Sequence, residues 1–477
     1  MFNTYRRGAA RLAAAGITAG LLAAGAFAGA TTAGADSGSS GDGTATTTSG
    51  GATGKLGELV PGMYGSATVT DKSGKSAAEL AGLFKLDLSD GTSVYTYCID
   101  LYNGADTSGN AVYNEVPWSA TSLTQAGRDK DVAGKITWIL QHSFPTVSDL
   151  GALANTAGSG PLTKETAAAG TQVAIWRLSD DPKAAADDPA AEKLADYLDQ
   201  SAQAVAEPSP SLELTPPSVS GKSGGKIGPV TAHTSATGAQ AVLAADAPSG
   251  VKLVDADGNP VTTVSDGSQL YFDVPAGTKE GSTSVTVSAT TSVPVGRAFA
   301  GTNSKTGGPS QTMILAGTSQ SEITATATAT WADQGPIPAL SAQVNCSKSG
   351  VDVSATNKGD EAFTFTLEGK TYTIAPGASQ TITVPVAEDQ GYKIDITLPD
   401  KSVKTFKGVL DCKAATAPPT IPATNQPSPA SSSTGNLAET GSSSSTPLIA
   451  GIAVALVVVG GGAVFFFRRN TRKNSAA

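Results

Sequence analysis

From Leu83 to Leu101 apolar and polar residues alternate (LFKLDLSDGTSVYTYCIDL), the period of half-buried strands, and Asp90-Gly91 supplies the turn of a hairpin. The period then changes. Val132, Ile136, Ile139 and Leu140 recur at i, i+4, i+7 and i+8, one face of a helix. A second helix runs through AAAGTQVAIWRLSDD, Ala167 to Asp181. Thr163 is its N-cap, Glu165 suits the positive end of its dipole, and Asp180, Asp181 and Pro182 stop it. A third starts at Asp188-Pro189, N-cap and N1, before Leu194, Tyr197 and Leu198. Strands and then helices predict an α+β domain over residues 55–207. It holds Trp118, Trp138 and Trp176, three of the four tryptophans, and so the best-defined interior.

Beyond the break EPSPSLELTPPS, runs such as SVTVSAT, QTMILAG and EITATATATW read as short strands between Gly and Pro clusters, which predicts an all-β sandwich over 208–337. A small Ig-like sandwich is expected over 338–413, bracketed by Cys346 and Cys412. Asp255-Ala256-Asp257-Gly258-Asn259 has the opening of a calcium loop, but Pro260 stands where that loop needs glycine and no Glu closes it. A hairpin turn is expected there, and no metal or cofactor is called for anywhere.

The ends suggest an address. Arg6, Arg7 and Arg11 precede an apolar run and small residues ending in Ala33-Gly34-Ala35, the pattern of a secretory signal over 1–35. Residues 36–54 are a low-complexity linker, and 414–436 a Pro/Ser-rich spacer fit to cross a cell wall. An apolar span, 447–467, is long enough to cross a bilayer, and the tail 468–477 with Arg468, Arg469, Arg472 and Lys473 is placed in the cytoplasm. Leu437-Ala438-Glu439-Thr440-Gly441, the span and the basic tail together resemble a sortase sorting signal of Gram-positive cell-wall proteins. The LAxTG form departs from the commoner LPxTG form and resembles the variant used by sortases of high-GC actinobacteria. This resemblance implies cleavage between Thr440 and Gly441, with the Thr440 carboxyl joined to peptidoglycan. A plain single-pass anchor is the alternative, and both leave the bulk of the chain outside the cell, with the membrane met only through the C-terminal helix before sorting.

Charge agrees with that address. The seven basic residues of the two ends leave 25 of the 32 lysines and arginines, against 41 acidic residues, a net charge near −16. Phosphate-bearing partners need basic surface, so no nucleic acid is expected.

An exported chain meets an oxidising compartment, where cysteines pair. Cys346 and Cys412 lie in the first and last strands of one small domain, and a bond there contributes roughly 4 kcal/mol on the loop-entropy model. Cys98 is left over. It can be a buried inert thiol, one half of an intermolecular disulfide, or a nucleophile. A hydrolase or transpeptidase would need a base, and only His142 stands in the same domain, since His233 lies in another. The helix 167–181 holds a second anomaly. Gln172 falls in the apolar stripe of Ala168, Ile175 and Trp176, where an amide must be hydrogen-bonded or chemically consumed. A Cys thiolate can attack a Gln amide, expel ammonia and leave an internal thioester, given a dry pocket. Tyr95, Tyr97, Trp118 and Trp176 are candidates to wall that pocket, or are ordinary core residues.

TYCID at 96–100 with TQVAIW at 171–176 resembles the thioester domains of Gram-positive surface adhesins, also called TQXA domains. The resemblance covers about 55–207, and Thr171-Gln172-Val173-Ala174 fits the pattern without departure. It implies that Cys98 is the thiol donor and Gln172 the acyl donor of a thioester opened by an amine, with Thr171 and Ala174 as motif neighbours. The expected protein is a wall-anchored adhesin that captures an amine-bearing ligand covalently, by stoichiometric chemistry and not as an enzyme. A non-covalent binding or spacer protein and a Cys98-dependent hydrolase are the alternatives.

Overall fold

A computed structural model describes residues 44–46 and 50–412, other than 72, 126, 181, 182, 318 and 389. The expected signal peptide, spacer, LAETG motif (Leu437, Ala438, Glu439, Thr440, Gly441), apolar span and basic tail lie outside these residues. Among the described residues no helix is long and apolar enough to cross a membrane.

The first unit is built on a sheet of strands β1 (Thr53–Thr70), β2 (Ser76–Leu88), β3 (Ser93–Cys98) and β4 (Ala111–Val116). Asp90 and Gly91 make the β2–β3 turn as expected, with Gly91 at φ +87°, a conformation that favours glycine. Helices α1 (Val132–Gln141), α2 (Leu150–Ala157), α3 (Lys164–Ser179) and α4 (Pro189–Ser201) follow, with a short strand β5 (Lys183–Ala186) between the last two. The capping chemistry read from the sequence is present. Thr163 accepts the Thr166 N–H in a capping box, and Asp188 accepts the N–H groups of Ala190 and Ala191 ahead of Pro189. Helix α2, capped by Asp149, is additional to the expected elements.

Two further strands complete this sheet from more than a hundred residues away. β6 (Ala298–Asn303) pairs with β4, and β7 (Pro309–Gly317) pairs with β6 on one side and β3 on the other. Because β1 pairs with both β2 and β4, the ladder β1-β2-β3-β7-β6-β4 closes on itself. Residues 298–317, assigned from sequence to the second domain, therefore belong to the sheet of the first. Their run Ser310–Ala316 is buried at every position, not at alternate ones, which is the pattern of a strand covered on both faces.

The second unit is the expected sandwich, made of residues 212–292 and 320–332. Its longest strands, Gly281–Ser292 and Gln320–Ala332, pair along their whole length. The chain between them is the β6–β7 hairpin, so one long β-arm is rooted in the sandwich and ends in the first sheet. A single hydrophobic core runs through both units. The third unit, strands from Pro338 to Leu410, has its own core around Phe363, Phe365, Ile394 and Ile396. The Cys346–Cys412 disulfide is present, with Cα atoms 5.0 Å apart. The linker expected over 36–54 is not wholly outside the fold: Thr44–Thr46 pairs in parallel with the strand Val403–Leu410, and Thr53 already opens β1.

Candidate functional site

Cys98 ends β3, and α3 lies across the sheet with Gln172 facing it. The backbone of Ile99 donates to Thr312 of β7 at 3.0 Å, so the N–H and C=O of Cys98 point to the opposite edge, toward β2. The β2–β3 pairing ends at Phe84 and Thr96, short of Cys98. Gln172 fills the vacated place. Its Oε1 accepts the Cys98 N–H at 3.0 Å and its Nε2 donates to the Cys98 carbonyl at 2.8 Å. Both residues are buried, Gln172 at 0% and Cys98 at 1% exposure. The amide that stands in an apolar stripe is hydrogen-bonded at both its oxygen and its nitrogen, and its carbonyl is polarised by an N–H from the very residue whose thiol would attack it.

Among the described residues Cys98 is the one free cysteine. Its sulfur accepts the Asp100 N–H at 3.2 Å. Burial pushes the thiol well above its ordinary value, and the neighbouring charges of Asp180 and Asp100 push it further. It is thus a protonated thiol at neutral pH and not a free thiolate.

The two acids are themselves unusual. Asp100 is buried, with Oδ2 accepting Asn103 Nδ2 at 2.6 Å; Asp180, the C-cap of α3, accepts the Leu101 N–H at 3.2 Å and the Ser179 hydroxyl at 2.5 Å. Burial raises both carboxyls to about 7, and the Asp180 charge adds to the rise at Asp100. Asp411, one residue before the disulfide Cys412, reaches the same place from the third unit: it accepts the Thr312 hydroxyl at 3.0 Å and Asn103 Nδ2 at 3.4 Å. From the sequence, Asp180 reads only as a helix stop, Asp100 only as the last residue of the TYCID run with no role of its own, and Asp411 carries no signal.

The other candidates divide. Trp176 lies one turn beyond Gln172, and its indole N–H helps the thiolate form of Cys98. Thr171 donates to the Ala167 carbonyl at 2.8 Å, and its hydroxyl also meets the Tyr97 phenol. Tyr97 donates to the Phe144 carbonyl at 2.8 Å, which ties β3 to the segment after α1. Ala174 is buried in the core, and Tyr95 is half-buried opposite Gly317. Trp118 acts elsewhere, its indole donating to the Gly296 carbonyl at 2.8 Å, at the root of the β6–β7 hairpin. His142 hydrogen-bonds the Trp138 carbonyl at 2.8 Å and stacks on the Trp138 ring, whereas the hydrogen bonds of Cys98 run to Gln172 and Asp100.

At the root of the hairpin, whose strands pair with β3 and β4, lies a buried ion pair. Arg297 Nε donates to Glu115 at 2.9 Å, with side chains 4% and 1% exposed, and its Nη1 reaches Glu207 at 2.7 Å. Glu115 also accepts the N–H groups of Ala52 and Ser211. One carboxylate thereby joins β4, the start of β1, the start of the sandwich and the hairpin.

Residues 95–204 match the family model described as Thioester domain, a span that takes in Cys98 and Gln172 and stops short of the β6–β7 hairpin. Among solved structures the chain is similar to the Bacillus anthracis TIE protein, at 14% identity over 76% of this chain and 81% of that one, with a TM-score of 0.26. It is also similar to the thioester domain of the Enterococcus faecium TIE86 protein, at 18% identity over 59% of this chain and 97% of that one, with a TM-score of 0.26. No curated protein matches the chain.

Proposed function

We propose that this protein is a surface adhesin that attaches to its ligand through a Cys98–Gln172 thioester. The sulfur of Cys98 attacks the side-chain carbonyl carbon of Gln172 and ammonia leaves. A ligand amine, a lysine of a protein or an amine of a polymer, later attacks the same carbon, forms an amide and frees the thiol. Each molecule reacts once, so this is capture and not turnover. The observation that carries the reading is the double hydrogen bond seating the Gln172 amide on Cys98 in a buried site, within a segment that matches the Thioester domain model. Export by the N-terminal signal and anchoring of Thr440 to peptidoglycan by a sortase complete the proposal, supported by the LAETG motif and its flanks. A covalent bond suits such a place, because no off-rate opposes a pulling force.

Intact mass tests it. The protein is expected to be lighter than its sequence by one ammonia, beyond the hydrogens lost at Cys346–Cys412, and to gain methylamine at Gln172 with release of one thiol. A full mass, changed by Cys98→Ala only as the substitution requires, would sink the reading.

A further inference from the structure

Two buried carboxyl oxygens beside Cys98 have no hydrogen-bond partner among the described residues: Oδ1 of Asp100 and Oδ1 of Asp180. Burying a carboxyl oxygen without a partner is unfavourable, and folded proteins keep few such atoms. These two are carried by the elements that make the site. Asp100 follows Cys98 by two residues and touches its sulfur through its own N–H; Asp180 closes the Gln172 helix and grips the backbone of Leu101.

The chemistry proposed for Cys98 and Gln172 has a proton requirement. The thiol must give up its proton as sulfur attacks, and the amide nitrogen must gain one to leave as ammonia. Inside a buried site both transfers need a positioned group. The sulfur here holds its proton firmly, so a base must take it. Two neighbouring buried carboxyls resist ionising together, which leaves one as an acid and one as a base.

We propose that Asp180 and Asp100 are the proton-handling pair of the Cys98–Gln172 site, an inference that rests on the thioester reading. As the sulfur–carbon bond forms, the ionised carboxyl takes the Cys98 proton, and the protonated one gives its proton to the departing Gln172 nitrogen, which leaves as ammonia. The pair ends with one proton, as it began. On opening, the ionised carboxyl takes a proton from the attacking amine as the carbon–nitrogen bond forms. The protonated one delivers its proton to sulfur as the carbon–sulfur bond breaks. Because a thiol of high pKa is a poor leaving group, opening waits on that delivery. The charged groups facing the pair are Asp411, which acts on both carboxyls, and Arg128, which acts on Asp180; Tyr113 and Cys98 are the other titratable neighbours.

The test is the rate at which methylamine opens the site in the purified protein, followed by thiol release and by mass, and divided by the concentration of neutral methylamine. A profile from about pH 5 to pH 9 is expected to be bell-shaped and centred near 7, because only the singly protonated pair works. Asp180→Asn and Asp100→Asn are expected either to retain their ammonia or to open at least roughly 100-fold more slowly, without the bell. Asp411→Asn removes a charge that acts on both carboxyls but takes no proton in the scheme, and is expected to keep the bell with its centre displaced. A thioester that opens with a flat profile in the wild type, or at the wild-type rate in Asp180→Asn, would overturn the pair and leave the adhesin reading standing. A wild type that has lost no ammonia would overturn both. The wild-type profile decides even where a variant fails to fold.

Discussion

The side-chain amide of Gln172 stands beside Cys98 where a neighbouring strand would stand, bonding both its N–H and its C=O. This fixes the Gln172 carbonyl against the backbone of the residue whose thiol would attack it. In the proposed thioester chemistry, loss of ammonia would remove the bond from Nε2 and leave the Cys98 N–H on the carbonyl oxygen, where charge develops during attack.

That arrangement predicts an asymmetry between two variants that both lack a crosslink. Cys98→Ala keeps the backbone groups that hold Gln172. Gln172→Ala leaves the buried N–H and C=O of Cys98 without partners, at about 1–3 kcal/mol for each group. Urea unfolding is expected to place Gln172→Ala well below Cys98→Ala in stability. Equal midpoints would mean that the strand-like pairing contributes nothing.

Much of this was legible in the sequence, and the rest was hidden for physical reasons. Local signals survived: Thr163 and Asp188 cap the helices expected of them, and a polar residue in an apolar stripe marked Gln172. Pairing between β3 and β7 joins residues some two hundred positions apart, and no local period encodes a partner. The run QTMILAG reads from the sequence as one more short alternating strand of the second domain, whereas Ser310–Ala316 is buried at every position because neighbours from another sheet cover both faces. Glu115, Arg297 and Asp180 look like surface charges until the fold buries them.

Arg297 is expected to be the most sensitive of those hidden residues. Arg297→Ala leaves Glu115 buried beside an empty place, a change of about 3–5 kcal/mol for one broken buried pair. Since Arg297 roots the hairpin that places Met313 opposite Cys98, the fraction of molecules lacking one ammonia should fall as well. Thermal unfolding and intact mass on the same sample check both. A variant as stable as the wild type would show that the Ala52 and Ser211 N–H groups satisfy Glu115 unaided.

Gly170, two residues before Gln172, sets how closely α3 approaches α4. A Cβ there would lie 2.4 Å from the Ala191 carbonyl oxygen, a backbone atom that cannot turn aside. Gly170→Ala is expected to push α3 away, destabilise by about 1–3 kcal/mol and slow methylamine capture, in spite of alanine's better helix propensity. Unchanged capture would show that the helix yields without moving Gln172.

Stability should depend on pH in a direction set by the buried acids. Asp100 and Asp180 are held at about 7, above the ordinary 3.8, so between these values the folded chain binds protons that the unfolded chain has released. Stability therefore falls as pH rises from about 4 to about 7. Asp90 works in the opposite sense and in another window. Burial would raise it, but hydrogen bonds from the Thr92 N–H and hydroxyl, the Glu322 N–H and the Ser321 hydroxyl hold it at about 2. Its contribution is present above 3.8 and lost as pH falls toward 2. Together these groups place the stability maximum near pH 4, and thermal midpoints are expected to decline from there toward neutrality. In Asp100→Asn/Asp180→Asn the neutral side of the curve should flatten while the acid side stays. A wild-type midpoint that climbs between about pH 4 and pH 7 would mean that the two carboxyls ionise freely in the fold. They would then supply no proton near the Cys98 sulfur.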